Sequence, residues 1–207
     1  MRGLSKQPTP PILLRKGDAW RDEYAAALSA GTPPPHRWRH EQIRSALTEE
    51  TSGRCAYCEG PMIAVSFGDI EHMRPRALFP ELVVEWSNLT LSCARCNNEK
   101  TDKWENDLPF INPYVDRVED HIIFVGAIAW GVSERGIFTI DQLGLNSLAK
   151  VQARDAQVKN VMRLFQLWAT SDSRVRGAFA DQLRQSALSE GYTASATSAL
   201  RVAGFPL

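Results

Sequence analysis

The order of apolar and polar positions divides this 207-residue chain into three stretches, 1–50, 51–106 and 107–207. In the first, "KQPTPPILL" and "GTPPPHRW" are rich in proline, which fixes φ and removes an N–H donor, so both predict extended chain that interrupts helices. Between them "AWRDEYAAALSA" predicts a short helix. Residues 38–50 carry Ile43, Ala46 and Leu47 at helical spacing and run into "SGRC", where the glycine can end the helix. The first stretch therefore reads as a proline-rich arm followed by a helix, with Ile12, Leu13, Leu14 and Trp20 as anchors that either cover another surface or fold back on the chain's own centre.

The third stretch opens with "HIIFVGAIAWGVSERGIFTI", two β-rich runs around a Gly/Ser/Glu/Arg turn, predicted as a β-hairpin. From Leu145 to Trp168 the residues Leu148, Val151, Val158, Val161, Met162, Phe165 and Trp168 mark one apolar face of a long helix, and one or two further helices are expected over 174–204. No internal repeat is visible.

Composition narrows the picture. Twenty-four basic and twenty-four acidic side chains cancel, so the whole molecule exerts no strong pull on nucleic acid or an anionic membrane. The charge is uneven, however: residues 105–149 hold two basic and seven acidic groups, and 150–184 hold seven basic and three acidic. The longest apolar run, "IIFVGAIAW", is too short to span a bilayer, and the N-terminus has no apolar core of signal-peptide length. These features predict a cytoplasmic protein that does not enter the membrane, where four cysteines serve metal binding or redox chemistry in preference to disulfides.

The second stretch carries the chemistry. "CAYC" at 55–58 and "CARC" at 93–96 are two Cys-x-x-Cys knuckles. Cys55, Cys58, Cys93 and Cys96 together supply four thiolates, the closed tetrahedral set that zinc occupies structurally, with no position left for substrate. Between the knuckles lie "DIEHMRPR" and "EWSNLTLS". The local pattern predicts a β-hairpin around 60–72, a loop, and a helix starting near Asn97, in the order strand, strand, helix.

This combination of "CAYC", "EH", "NL", "CARCN" and Lys100 resembles the HNH nucleases with a zinc-stapled ββα-metal finger. The resemblance implies an α+β fold in which that small finger is embedded in a mainly helical domain with an additional β-hairpin. It implies that His72 is the general base that deprotonates water, that Asn88 orients the imidazole, and that Glu71 and Asn97 hold a catalytic divalent metal. Many relatives supply histidine to that metal. Here a carboxylate and an amide stand in its place, and oxygen ligands favour Mg²⁺ or Mn²⁺ over a second zinc. Asp69 and Asn98 are alternatives to Glu71 and Asn97, and Thr101 is a further candidate. Arg74, Arg76, Lys100 and Lys103 become phosphate contacts, while Trp86, Trp104 and Tyr57 are expected to pack around the finger.

The likeness extends through "KQPTPPILL", "FINPY" and "LGLN" to the retron-associated HNH nucleases and the PtuB-type nuclease subunits of the Septu anti-phage system. It implies a bacterial defence nuclease that cuts DNA beside an ABC-type or SMC-like (PtuA-like) ATPase subunit. The alternative is a zinc-stabilised finger that binds nucleic acid or a partner protein without cutting.

Overall fold

The computed structural model describes residues 1–62 and 67–207. Seven α-helices and two small antiparallel sheets are present among them, an α+β fold. The arm folds back over the chain's own centre. Its helix α1, Pro11–Ser29, starts eight residues before the expected "AWRDEYAAALSA", because Pro11 occupies the first helical turn, where a missing N–H and a preset φ suit helix initiation. Ile12, Leu13 and Tyr24 are buried in the central core, while Leu14 stays 75% exposed. Lys6 Nζ reaches Glu50 Oε1 at 3.0 Å and the Leu89 carbonyl at 2.6 Å, and Trp86 Nε1 donates to the Gln7 carbonyl at 2.7 Å. Helix α2, Glu41–Thr51, ends at Ser52 in the left-handed region with Gly53, φ 68°, bonded back to Thr48.

The finger is built from β1, Asp69–His72, β2, Leu89–Ser92, and α3, Ala94–Lys100. The strands pair antiparallel with Glu71 opposite Thr90 and His72 opposite Leu89. The expected hairpin around 60–72 lies partly outside the described residues. The partner of β1 is β2, after a long connecting loop, and the helix begins at Ala94, where Cys93 caps it with its sulfur.

β3, Ile122–Val125, and β4, Ile128–Gly131, form the second hairpin. It turns at Gly126, φ 58°, and not at the Gly/Ser/Glu/Arg segment. That segment starts helix α4, Glu134–Gln142, because Ser133 Oγ accepts from the Gly136 N–H and caps it. Gly136 is required there by close approach, since a Cβ would lie 1.9 Å from the His121 carbonyl oxygen.

Helices α5, Leu148–Thr170, α6, Ser173–Ser189, and α7, Thr193–Val202, form a second apolar cluster around Val161, Leu183, Ala187, Ala196, Leu200 and Phe205. The expected apolar face of α5 holds only in its C-terminal half. Leu148 is 72% exposed, and the first turns bury Lys150, Arg154 and Gln157. Their long side chains reach backbone carbonyls: Lys150 Nζ donates to Leu143 O, Arg154 to Leu145 O and Lys150 O, and Gln157 Nε2 to Ser186 O in α6. Satisfying those buried acceptors outweighs the apolar spacing.

Candidate active site and metal centre

Both knuckles are set by local backbone. The Cys55 N–H donates to the Gly60 carbonyl and the Glu59 N–H to the Cys55 carbonyl, with Glu59 at φ 64°, which folds "CAYCEG" into a tight turn. The Ala56 N–H donates to the Leu91 carbonyl and fastens this turn to β2. The second knuckle is the first turn of α3, where the Cys96 N–H points at Cys93 Sγ, 3.4 Å away.

The four sulfurs lie within 4.8 Å of one another, and Cys58 and Cys93 are 3.9 Å apart. A tetrahedron with arms of about 2.3 Å has edges of about 3.8 Å, so the spacing fits a metal ion held by four thiolates. Hydrogen bonds from Cys55, Cys58 and Cys96 hold the Cys93 thiol far below the ordinary thiol range, while burial pushes Cys55 well above it. Thiolates held this close repel one another, and a bound cation would offset that repulsion.

Beside this cluster β1 and α3 line a polar pocket of about 460 Å³. Asp69, Glu71, His72, Asn97 and Asn98 all border it, with Thr101 at its edge. His72 is 5% exposed, and its Nε2 lies 2.8 Å from the Val83 carbonyl oxygen. A carbonyl can only accept, so Nε2 carries the proton and Nδ1 holds the lone pair. The Trp38 ring packs edge-on against the imidazole at 5.1 Å. Burial lowers the His72 pKa to about 4, with Arg76 and Lys100 adding to the effect and the Val83 bond opposing it.

Asn88 makes no bond to the imidazole. Its Oδ1 accepts from the Arg74 N–H at 2.8 Å, and its Nδ2 donates to the carbonyls of Arg74 and Leu82 at 3.1 and 3.2 Å. Its side chain therefore ties the two ends of the loop that leads to Val83, and so bears on the His72 ring through that residue.

Glu71 is buried, and its Oε1 is 2.8 Å from Lys100 Nζ. Burial raises its pKa and the Lys100 ammonium opposes the rise. The same ammonium donates to the His72 carbonyl at 2.9 Å. Lys100 is 0% exposed, which corrects its expected role as a phosphate contact: its charge is spent inside the finger on Glu71 and β1. The carboxylate that meets Asn97 is Asp69, whose Oδ2 accepts from Asn97 Nδ2 at 3.2 Å. These donors are oxygen-rich and suit a hard divalent cation better than zinc.

The predicted cations separate. Arg76 borders the pocket, its guanidinium 5.1 Å from the Trp38 ring. Arg74 borders a second cavity of about 440 Å³, which Asn88 also lines, and its guanidinium lies over Phe79 and Trp104. Lys103 is exposed and borders neither. Arg39 and Arg44, which sequence reading passed over, border the same polar pocket as His72. The run "HRWRHEQIR", with three arginines around a tryptophan, was the available signal for them. Val83 had none, because a backbone carbonyl leaves no trace in residue identity.

Residues 55–103 match the HNH endonuclease family, so the chain carries an HNH endonuclease domain. Over 115 residues it is 36% identical to the Septu protein PtuB of Bacillus thuringiensis, covering 55% of this chain and 45% of that one. It is 31% identical over 77 residues to the Septu protein PtuB of Bacillus mycoides (strain KBAB4), covering 31% of this chain and 26% of that one. The chain spans less than half the length of these curated relatives. Among the described residues no helix is long and apolar enough to cross a membrane.

Proposed function

We propose that this HNH domain hydrolyses DNA phosphodiester bonds, with zinc held by the four cysteines as a structural staple and His72 as general base. The observation that carries the reading is the Nε2 bond of His72 to Val83 O, which leaves Nδ1 unprotonated in a pocket bordered by Asp69, Asn97 and arginines. His72 Nδ1 takes the proton of the attacking water. Arg39 and Arg76 hold the phosphate backbone in register through charge, which positions the strand without reading its sequence. Asp69, Asn97 and the second oxygen of Glu71 are the donors for a divalent ion, Mg²⁺ or Mn²⁺. Bound there, such an ion supplies positive charge to a non-bridging phosphate oxygen and to the departing 3′ oxygen.

The likeness to Septu PtuB supports a place in anti-phage defence beside a PtuA-like ATPase subunit. Between 55 and 104 the finger carries five basic and seven acidic residues, too little positive charge to drive strong non-specific DNA binding through counterion release, which favours delivery of the DNA by such a partner. The test is plasmid cleavage by the chain alone and co-expressed with a PtuA-like ATPase, in Mg²⁺ or Mn²⁺ with EDTA as control. Metal-dependent nicking that disappears in His72→Ala supports the reading. DNA binding without cleavage in both preparations would leave the finger as a docking module and refute the nuclease.

A further inference from the structure

Arg154 is a buried cation that no carboxylate among the described residues contacts directly. It is 3% exposed, forms no ion pair with any described residue, and its Nη1 has no hydrogen-bond partner. Its other guanidinium nitrogens hold the carbonyls of Leu145 and Lys150 and so fix the group in place. The ionisable groups whose fields reach it are Cys58, Tyr192 and Glu59, all at the first knuckle or the turn packed on it.

That turn is itself unusual. Tyr192 adopts φ 50°, a left-handed conformation rarely taken by an aromatic residue, and Gly191 beside it has φ 101°. The pair is pressed against the knuckle: the Tyr192 N–H donates to the Glu59 carbonyl at 3.3 Å, and a Cβ on Gly191 would meet Pro61 Cδ at 3.1 Å. The phenol lies beside Gly60 of the first knuckle. A Cβ on Gly60 would lie 3.2 Å from Tyr192 Oη and 3.3 Å from Cys58 Sγ, so those two atoms are no more than about 6.5 Å apart. Arg54 and Glu59 tie the same turn down, through Thr193 Oγ1 and the Ala194 N–H.

Four thiolates around one divalent ion sum to a net charge of about −2, and a buried anion of that size needs compensation. A buried guanidinium with a free N–H is the complementary defect. We propose that Arg154 and Tyr192 are positioning residues of the four-cysteine zinc centre, supplying positive charge and a hydroxyl dipole on the Cys58 side of the cluster. The helices α5 and α7, remote in sequence, thus share control of how tightly the finger holds its metal and how inert the Cys58 thiolate is. This rests on the zinc reading above, and outer partners of this kind contribute roughly 10- to 100-fold in metal affinity.

The test uses the full chain as wild type, Arg154→Met, Arg154→Lys and Tyr192→Phe. Zinc content is measured first, then zinc release to the chromogenic chelator 4-(2-pyridylazo)resorcinol, and N-ethylmaleimide alkylation mapped by peptide mass. The expected result is release about tenfold faster or more in Arg154→Met, a smaller increase in Tyr192→Phe, and near wild-type release in Arg154→Lys. Alkylation rises selectively at Cys58. Folded variants that release zinc at the wild-type rate, or that alkylate evenly at all four cysteines, overturn the proposal. If Arg154→Met does not fold, Tyr192→Phe decides, since it keeps the ring and removes only the hydroxyl; unchanged release there overturns it as well. Wild type without zinc overturns the zinc reading and this inference together, and that measurement comes before any variant is compared.

Discussion

His72 Nε2 and the Val83 carbonyl oxygen lie 2.8 Å apart, and this bond fixes which imidazole nitrogen carries the proton. His72→Ala is expected to lower cleavage by about 10² to 10⁴, the range for loss of a general base. Its zinc content should match the wild type, because the cysteines lie outside the change. A mutant that cuts at the wild-type rate sinks the mechanism.

Asn88 acts one step further out, holding the loop that presents Val83. Asn88→Ala leaves backbone groups of Arg74 and Leu82 without their partner and should destabilise the fold by about 1–3 kcal/mol. Cleavage should fall with it. Urea melts and cleavage rates measured together check this, and full activity in a destabilised mutant would separate Asn88 from the base.

The pH dependence follows from burial of His72, whose pKa is lowered to about 4. In the unfolded chain it titrates near its ordinary value of about 6.5, so the unfolded state takes up the proton first as pH falls. The stability His72 contributes is therefore complete above about pH 6.5 and is lost as pH drops towards 4, by up to about 3 kcal/mol. Urea denaturation at pH 7 and pH 5 should show a larger loss for wild type than for His72→Gln. Equal losses would mean that His72 is not held neutral by the fold.

Lys100 and Lys103 should behave as opposites. Lys100→Met strands the buried Glu71 carboxylate and should destabilise by about 3–5 kcal/mol, with recovery in the Lys100→Met, Glu71→Gln double mutant. Lys103→Ala should change melting by no more than about 0.5 kcal/mol. Thermal unfolding of the four proteins measures this, and a harmless Lys100→Met would remove the ion pair from the argument.

Arg39 and Arg76 border the polar pocket that holds His72 and, under the proposed function, should meet phosphates. Each substitution to alanine is expected to weaken DNA binding equally across sequences and reduce the slope of log affinity against log salt by about 1. Binding titrations at several salt concentrations, on a His72→Ala background so that the DNA stays whole, give the slope. An unchanged slope for both would move the DNA to another face.

The sequence alone determined the elements whose geometry is local. Two Cys-x-x-Cys spacings each close on a single turn, and the four thiols meet because the first knuckle is fastened to β2 just ahead of α3. The α+β character and the two C-terminal helices were readable for the same reason: period and turn chemistry act over a few residues. Only the tertiary structure decided what depends on surfaces distant in sequence. The proline-rich arm could have covered a partner, and it covers the finger because Glu50, Leu89 and Trp86 accept or satisfy its polar groups there. Lys100 looked like a surface cation until β1 closed over it beside Glu71. Asp69 is set against Asn97 by the way α3 lies on the strand. Arg154 is not among the apolar residues that mark the expected face of α5 and is buried all the same, because a long side chain can bury where carbonyls accept its N–H groups. The proton on His72 was decided by a carbonyl that any residue at position 83 could have offered, and backbone acceptors carry no signature in the sequence.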